Sequence, residues 1–429
     1  MKSSKICIVF IGIVVKTLYI CRVFYNYTCR KIQIMLTREH IISVIRPFYE
    51  ITDLVKVLLG VRRAGKSVLL SQIAEELSKK GIDSEYIISI NFELLEFSDL
   101  KTAKELNAYI VSLIKPDKKY FLFLDEIQMV EDFELAVNSL RARGNISIFI
   151  TGSNAHLLSG ELATHLSGRY IKFLVTPFTF AETLKMTSEN DLKAAFENYM
   201  QWGGMPGRFA FKTETEMQKY LQDVFDTIIL RDILIRRKIR DINLLNNIIR
   251  FLIENTGKIF SANTVSKYLK SQSRSVSAEA LYNHIEYILE SLLFTKVNRY
   301  DIKGKNVFAT LEKYYIADMG LLQLKRGFIA ENLGARLETI VANELLARGY
   351  KINVGVMRNA EIDFVAEKNN ETEFIQVCYN IDSDETLNRE INAFDGIPEK
   401  KLLITADRFD YSQKGIKSVN AVDWLLQKD

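Results

Sequence analysis

The sequence predicts an α/β fold: a parallel sheet with helices on both faces. Three runs carry that prediction. Val55–Leu59 is an apolar, β-branched run ending in a glycine loop; beyond the loop, Ser67–Lys80 repeats apolar residues at helical spacing and stops at Gly81. Tyr120–Leu124 (Tyr-Phe-Leu-Phe-Leu) is apolar throughout and short enough for a strand buried on both faces. Ile146–Thr151 (Ile-Ser-Ile-Phe-Ile-Thr) is a further strand of the same kind.

The glycine loop names a ligand. Gly60–Ser67 reads Gly-Val-Arg-Arg-Ala-Gly-Lys-Ser, which fits G-x-x-x-x-G-K-S. Glycines let the backbone curl so that its N–H groups face phosphates. Lys66 adds charge at the outer phosphates, and the Ser67 hydroxyl reaches a magnesium ion. The helix that follows presents its N-terminus to the same anion. Gly60, Arg62, Arg63, Gly65, Lys66 and Ser67 are therefore the expected ATP-binding residues. A plain glycine turn is the competing reading, and the strand–loop–helix order with Lys-Ser in place disfavours it.

The other strands end in fitting chemistry. Asp125 and Glu126 follow Leu124, at the carboxyl end where open α/β sheets bind ligands. An aspartate there holds magnesium with Ser67, and the glutamate polarises a water for attack on the γ-phosphate. After Thr151 come Gly152, Ser153 and Asn154. Ser153 or Asn154 suits a γ-phosphate sensor and equally a helix N-cap. Arg169, in Leu-Ser-Gly-Arg-Tyr before a fourth apolar run (Ile171–Val175), is a candidate arginine finger or phosphate sensor. As a finger it would act across a subunit interface, which requires a homo-oligomer.

Composition bounds the rest. A chain of 429 residues holds about two to four domains. With 48% hydrophobic and 26% charged residues it is ordinary soluble material, without repeats or low-complexity tracts. The net charge is +4, but residues 1–34 carry six Lys or Arg and no acid, so subtracting those six leaves −2 for the remainder. Net charge thus gives no argument for nucleic acid. Ile6–Val15 is too short to span a bilayer, and no clean cleavage site follows it. Met35 opens a segment with a capped helix start at Thr37. The expectation is that Met35 is the native start and residues 1–34 are a non-native or disordered extension; a membrane anchor is the rival. Of four cysteines only Cys378 lies outside that stretch, which fits a reducing cytoplasm.

A strand (Ser84–Phe92) and a helix (Leu100–Ile114) intervene between the loop and Asp125. With Glu126 after the aspartate, this is the pattern of P-loop ATPases that use a catalytic glutamate. The sequence resembles the AAA+-type ATPases of bacteria and archaea that carry a C-terminal domain of unknown function. The resemblance rests on residues 60–67, Phe-Leu-Asp-Glu-Ile-Gln (123–128), Ile-Thr-Gly-Ser-Asn (150–154), Leu-Ser-Gly-Arg-Tyr (166–170), Trp-Gly-Gly-Met-Pro-Gly (202–207), Leu-Arg-Asp (230–232) and Glu-Ile-Asp-Phe-Val-Ala (361–366). It covers Met35 to the C-terminus and implies ATP binding and hydrolysis. It supplies no biological task.

The domains expected are an ATPase core (35–178), a helical lid (179–240), a winged helix (241–325) and a restriction-endonuclease-like domain (326–429). In the lid, Trp202–Gly207 reads as a glycine–proline turn, and Arg231 as a surface salt bridge or a nucleotide contact. In the winged helix, the third helix would enter a DNA groove, yet it carries three glutamates and no Lys or Arg. Basic residues flank it (Lys267, Lys270, Arg274, Lys296, Arg299, Lys303, Lys305), so phosphate contact and purely protein contact weigh equally. The last domain resembles the nuclease fold through Glu338, Asp363 and Gln376, a candidate second metal site, but Cys378 stands where that fold has its lysine. Binding without cleavage is the favoured reading. A nuclease effector switched by ATP is the alternative.

Overall fold

In the computed structural model the described residues are 36–427, apart from 155–165, 167, 188, 272–275, 305, 329 and 358–359. The expected extension (1–34), Arg274 and Lys305 lie outside them. The first described helix is α1 (Glu39–Ile45). Its N-cap is Arg38, with no side-chain cap, so the start expected at Thr37 is displaced. The Arg38 side chain explains the displacement. It donates from Nε and Nη2 to Glu182 at 2.7 and 2.8 Å, and from Nη1 to the Thr176 carbonyl at 2.7 Å. A buried bidentate pair of this kind outweighs one capping bond.

The first sheet contains β1 (Val55–Leu59), β2 (Ile87–Asn91), β3 (Tyr120–Asp125), β4 (Ile146–Gly152) and β5 (Tyr170–Leu174). Their order is β2-β3-β4-β1-β5, and every pair is parallel. Strand alternation splits the apolar residues between two faces. Leu58, Phe121, Phe123 and Phe149 pack with Leu69, Leu70 and Ile73 of α2 (Lys66–Lys79). Val57, Leu122, Leu124 and Ile148 pack with Leu106 and Ile110 of α3 (Ala103–Leu113) and Val137 and Leu140 of α4 (Phe133–Ala142). This is the helix-covered parallel sheet the sequence predicts, and it gathers the connections after β1, β3 and β4 at one edge.

Lys56 breaks the apolar pattern of β1 and is fully buried. Its ammonium donates to the carbonyls of Ile51 (2.6 Å) and Leu54 (3.0 Å) and to Ser147 Oγ (2.7 Å), and lies 4.7 Å from the Phe149 ring centre. Burial pushes its pKa down to about 7.

Past β5 the chain is helical: α5 (Phe180–Met186), α6 (Leu192–Trp202) and α7 (Glu214–Thr227), which runs into a π-helical stretch, Ile228–Ile235. Then come α8 (Ile242–Glu254), α9 (Ala262–Ser271), α10 (Ala278–Glu290) and the hairpin of β6 (Phe294–Asp301) and β7 (Asn306–Ile316). After them follow α11 (Met319–Arg326), α12 (Leu333–Ala347), β8 (Lys351–Met357), β9 (Ala360–Lys368), β10 (Glu371–Cys378), α13 (Asp384–Asn392), β11 (Lys400–Thr405), β12 (Ile416–Asn420) and α14 (Ala421–Leu426). Three helices and a hairpin keep the order of a winged helix, but the hairpin is not free. β6 pairs in parallel with β8 from Arg299↔Val354 to Asp301↔Val356, giving one seven-stranded sheet, β12-β11-β10-β9-β8-β6-β7. One hydrogen-bonded sheet therefore runs through the expected 325/326 boundary. Lid and C-terminal residues also share one core, in which α11 packs on α6 and α7. No described helix is long and apolar enough to cross a membrane.

Of the glycine–proline turn expected over Trp202–Gly207, Trp202 closes α6 and Pro206 opens a 3-10 helix (Pro206–Ala210), so the chain reverses over Gly203–Met205, where neither glycine has room for a side chain. Gly204 donates N–H to Asp318 Oδ2 at 2.7 Å and accepts Phe178 N–H at 2.8 Å. A Cβ on Gly204 would lie 1.9 Å from the Phe178 carbonyl oxygen.

Gly204→Ala is expected to lower stability by about 3 kcal/mol or more, because the clash is with backbone that cannot rotate away. Gly334→Ala, in open space on α12, should instead gain about 0.5–1 kcal/mol. Urea midpoints of the two variants test the contrast. Lys56 supplies a pH test: its folded pKa of about 7 lies below the usual 10.5, so the unfolded chain binds more protons between those values. This contribution to stability therefore rises with pH across that window and is lost as pH falls through 7. Lys56→Met should flatten the slope of the denaturation midpoint between pH 7 and 10.

Candidate functional site

β1 delivers the chain to Gly60, where the loop must pass close to Val175, the residue that follows β5. A Cβ on Gly60 would lie 2.0 Å from the Val175 carbonyl oxygen, so only glycine fits. Gly65, at φ 101°, is the N-cap of α2. Arg63 also has a positive φ, 68°, and its side chain is exposed, as is Ser67 in the first turn of α2. Lys66 is buried and folds back over the loop, donating to the carbonyls of Gly60 at 2.9 Å and Val61 at 3.2 Å. Burial depresses its ammonium pKa, and the carboxylates of Glu126 and Asp125 oppose that shift. A phosphate in the loop would give this ammonium a stronger acceptor than two neutral carbonyls.

The ends of β3 and β4 form the second wall. Thr151 donates to Asp125 Oδ1 at 2.5 Å and accepts the Glu126 N–H at 3.0 Å. Glu126 has left-handed backbone, φ 55°, which turns the chain sharply after the strand, and Gln128 donates to its carboxylate. Burial raises the Glu126 pKa, while Lys66 and Arg62 pull it back. Thr151 is a site residue that sequence reasoning missed. Its signal was available: a hydroxyl at a strand tip beside an acidic one.

Ser153 and Asn154 both meet Asp232. Ser153 Oγ donates to Asp232 Oδ1 at 3.2 Å, and Asn154 Nδ2 to the Asp232 carbonyl at 3.4 Å. The N-cap reading of Ser153 or Asn154 concerns residues 155–165, which lie outside the described residues. Arg62 converges on the same carboxylate, with Nε 3.0 Å from Oδ2 and Nη2 2.9 Å from Oδ1. Arg231 itself is exposed, and the contact with the phosphate loop is made by its neighbour Asp232. It lies in the π-helical stretch and is buried.

Arg169 lies elsewhere. It precedes β5, whose Tyr170 pairs with Val55, whereas the phosphate loop follows Leu59 at the other end of β1. Four residues of strand, about 13 Å, separate the two ends. The reading of Arg169 as a phosphate sensor for its own subunit is therefore corrected; only the role across a subunit interface is geometrically open.

The C-terminal carboxylates gather around a lysine. Lys313 on β7 is buried, with its ammonium 2.9 Å from Glu338, 2.8 Å from Glu361 and 3.6 Å from Asp363. Tyr315, two residues along the same face, donates to Glu338 at 2.7 Å. Burial alone would depress the Lys313 ammonium, but Glu338, Asp363 and Glu361 outweigh it and hold it above its ordinary value. Gln376 turns away: its Nε2 donates to Glu390 at 2.7 Å and its Oε1 accepts the Asp363 N–H at 3.2 Å. Among the described residues no group of three or more His, Cys, Asp or Glu is arranged to hold a metal. The second metal site expected from Glu338, Asp363 and Gln376 is corrected accordingly, because a lysine takes the place of the cation. Cys378 is buried and its thiol is pushed up to about 12 by burial, so it is a core residue and no nucleophile.

Comparison with known proteins agrees with the first site. Residues 52–184 match an AAA domain, and residues 193–331 match a domain of unknown function, DUF8612. An uncharacterized protein of Haemophilus influenzae is 38% identical over 405 residues, spanning 92% of this chain and 99% of that protein. The uncharacterized protein MJ1544 of Methanocaldococcus jannaschii is 30% identical over 390 residues, spanning 87% and 86%. Among solved structures, Cdc6p from Pyrobaculum aerophilum (TM-score 0.29, 11% identity) covers 73% of this chain and 96% of its own. The Aeropyrum pernix ORC1 protein in complex with DNA (TM-score 0.30, 11% identity) covers 73% and 94%. Likenesses that weak carry no argument about this chain. The matched AAA domain encloses the Gly60–Ser67 loop and the Asp125–Glu126 pair, and the Haemophilus relative extends the match along nearly the whole length: the chain belongs to the AAA-domain P-loop ATPases.

Proposed function

We propose that the protein hydrolyses ATP with magnesium and uses the cycle to act on a protein or DNA partner bound by its C-terminal half. The observation that carries this reading is the convergence of Lys66, Asp125 and Glu126 at one edge of the parallel sheet, with Thr151 tying the two acids together. Lys66 and the loop amides would bind the phosphates. Ser67 Oγ and the Asp125 carboxylate are hard oxygen donors and suit magnesium, which when bound neutralises charge on the phosphate oxygens. Glu126 would orient the attacking water and take its proton. A buried carboxylate with a raised pKa is the stronger base for that task. Arg169 would complete the site of a neighbouring subunit in a homo-oligomer.

On the partner side, the outer face of α10 exposes Glu279, Asn283 and Glu286. Acidic side chains there disfavour insertion into a DNA groove and favour a protein surface; Lys267 and Lys270, exposed on α9, remain suited to phosphate. Lys313 in the carboxylate cluster supports a nuclease-like fold used for binding, without cleavage.

Glu126→Gln is expected to bind ATP but hydrolyse it about 100-fold more slowly, and Lys66→Ala to lose binding. Steady-state hydrolysis and nucleotide titration, with and without DNA, read both; wild-type turnover in Glu126→Gln would remove Glu126 from the mechanism. The second expectation is that wild type and Asp363→Ala alike leave duplex DNA intact in magnesium or manganese. Metal-dependent cleavage by wild type that disappears in Asp363→Ala would favour the nuclease effector instead.

A further inference from the structure

Three side chains from the ATPase core meet one residue of the π-helical stretch. Arg62 comes from the phosphate loop, Ser153 and Asn154 from the end of β4, and all three bond Asp232. Arg62 also donates weakly to Ser153 Oγ, at 3.4 Å, and its guanidinium lies 4.0 Å from Glu126 and 3.6 Å from Glu93. The Arg62 fork is therefore held between the acid expected to handle water and an acid on a distant helix.

We propose that Asp232 is a positioning residue for hydrolysis, which sets Arg62 beside Glu126 and makes the π-helical stretch respond to the state of the phosphate site. This rests on the ATPase reading above. Arg62 belongs to the loop whose backbone would wrap the phosphates, so a polyphosphate competes directly with Asp232 for its guanidinium. Planar bidentate pairing is what arginine forms with carboxylate and with phosphate alike. Withdrawal of Arg62 need not strand the Asp232 charge. Arg236 follows four residues later and is partly buried, and the Asp232 carboxylate already acts on its charge, together with Glu290 and Glu126. A π-helix suits such a role, because its wide turns are less stable than α-helical ones and concentrate at functional sites. The stretch also joins α7 to α8, whose apolar residues belong to the core shared with the C-terminal sheet. A shift in its register would therefore reach the partner-binding half.

Hydrogen exchange on the full chain tests the idea, following peptides over residues 228–235 without nucleotide, with ADP–magnesium and with a non-hydrolysable ATP analogue. Wild type should change exchange there by about threefold or more between ADP and the analogue. Asp232→Asn should bind the analogue within about threefold of wild type, lose the exchange response, and show kcat lowered about tenfold or more at unchanged KM. Asp232→Glu should recover part of both, a rescue that mere loss of packing would not give. The proposal is overturned if the analogue binds wild type and exchange over 228–235 does not move, or if Asp232→Asn keeps wild-type kcat. Should Asp232→Asn fail to fold, the wild-type comparison still decides. Absence of any nucleotide binding would be a separate result, which sinks the ATPase reading itself.

Discussion

The backbone of Gly204 is the point through which the regions of this protein are joined. Its carbonyl holds Phe178, just beyond the last strand of the ATPase sheet, and its N–H holds Asp318, the N-cap of α11. Asp318 also receives the Gly320 N–H at 2.8 Å, and the neighbouring Arg208 donates to the Gly203 carbonyl at 2.8 Å. Burial raises the Asp318 carboxyl to about 6, and the amide donors and Arg208 keep it from rising further. None of this tolerates a side chain at 204. The turn is so tight because three regions require the same few ångströms.

The nucleotide site obeys a related economy. Three of its charged groups are buried or half-buried, and each is held by a neighbour: Lys66 by its own loop carbonyls, Arg62 by Asp232, Asp125 by Thr151. Buried charges without partners would be costly, and partners that are too good would compete with substrate. Neutral carbonyls around Lys66 satisfy the first condition without violating the second. Arg62 is held much more firmly, by two charge-assisted hydrogen bonds to Asp232. Arg38 braces the loop from behind, at 3.3 Å from the Ala64 carbonyl, while its other bonds go to Glu182 and to the carbonyls of Thr176 and Pro177.

The sequence made the ATPase half legible because its chemistry is tied to local backbone. Lys66 must start the helix after a glycine loop, and Asp125 must end a strand; each is readable within ten residues. Asp232 was not readable, since its partner Arg62 lies 170 residues away and the adjacent Arg231 drew the attention that charge normally deserves. Lys313 was hidden for a different reason. Which residues of a strand meet the carboxylates depends on pairing register, and β6–β7 contains a bulge between Val297 and Arg299 that no pattern announces. The position at which the nuclease-like fold has its lysine is Cys378 on β10; the lysine beside these carboxylates is Lys313, on β7 of the same sheet. Thr37 lost its capping role to an arginine whose partners are all distant.

The pairing of β6 with β8 has a mechanical meaning. A wing tethered only at its two ends can flap against whatever it touches, and its motion is then its own. Here backbone hydrogen bonds weld the hairpin into a seven-stranded slab, and the Lys313 ion pairs rivet it to α12 and β9. Force applied to β6 or β7 would be carried by the slab as a whole.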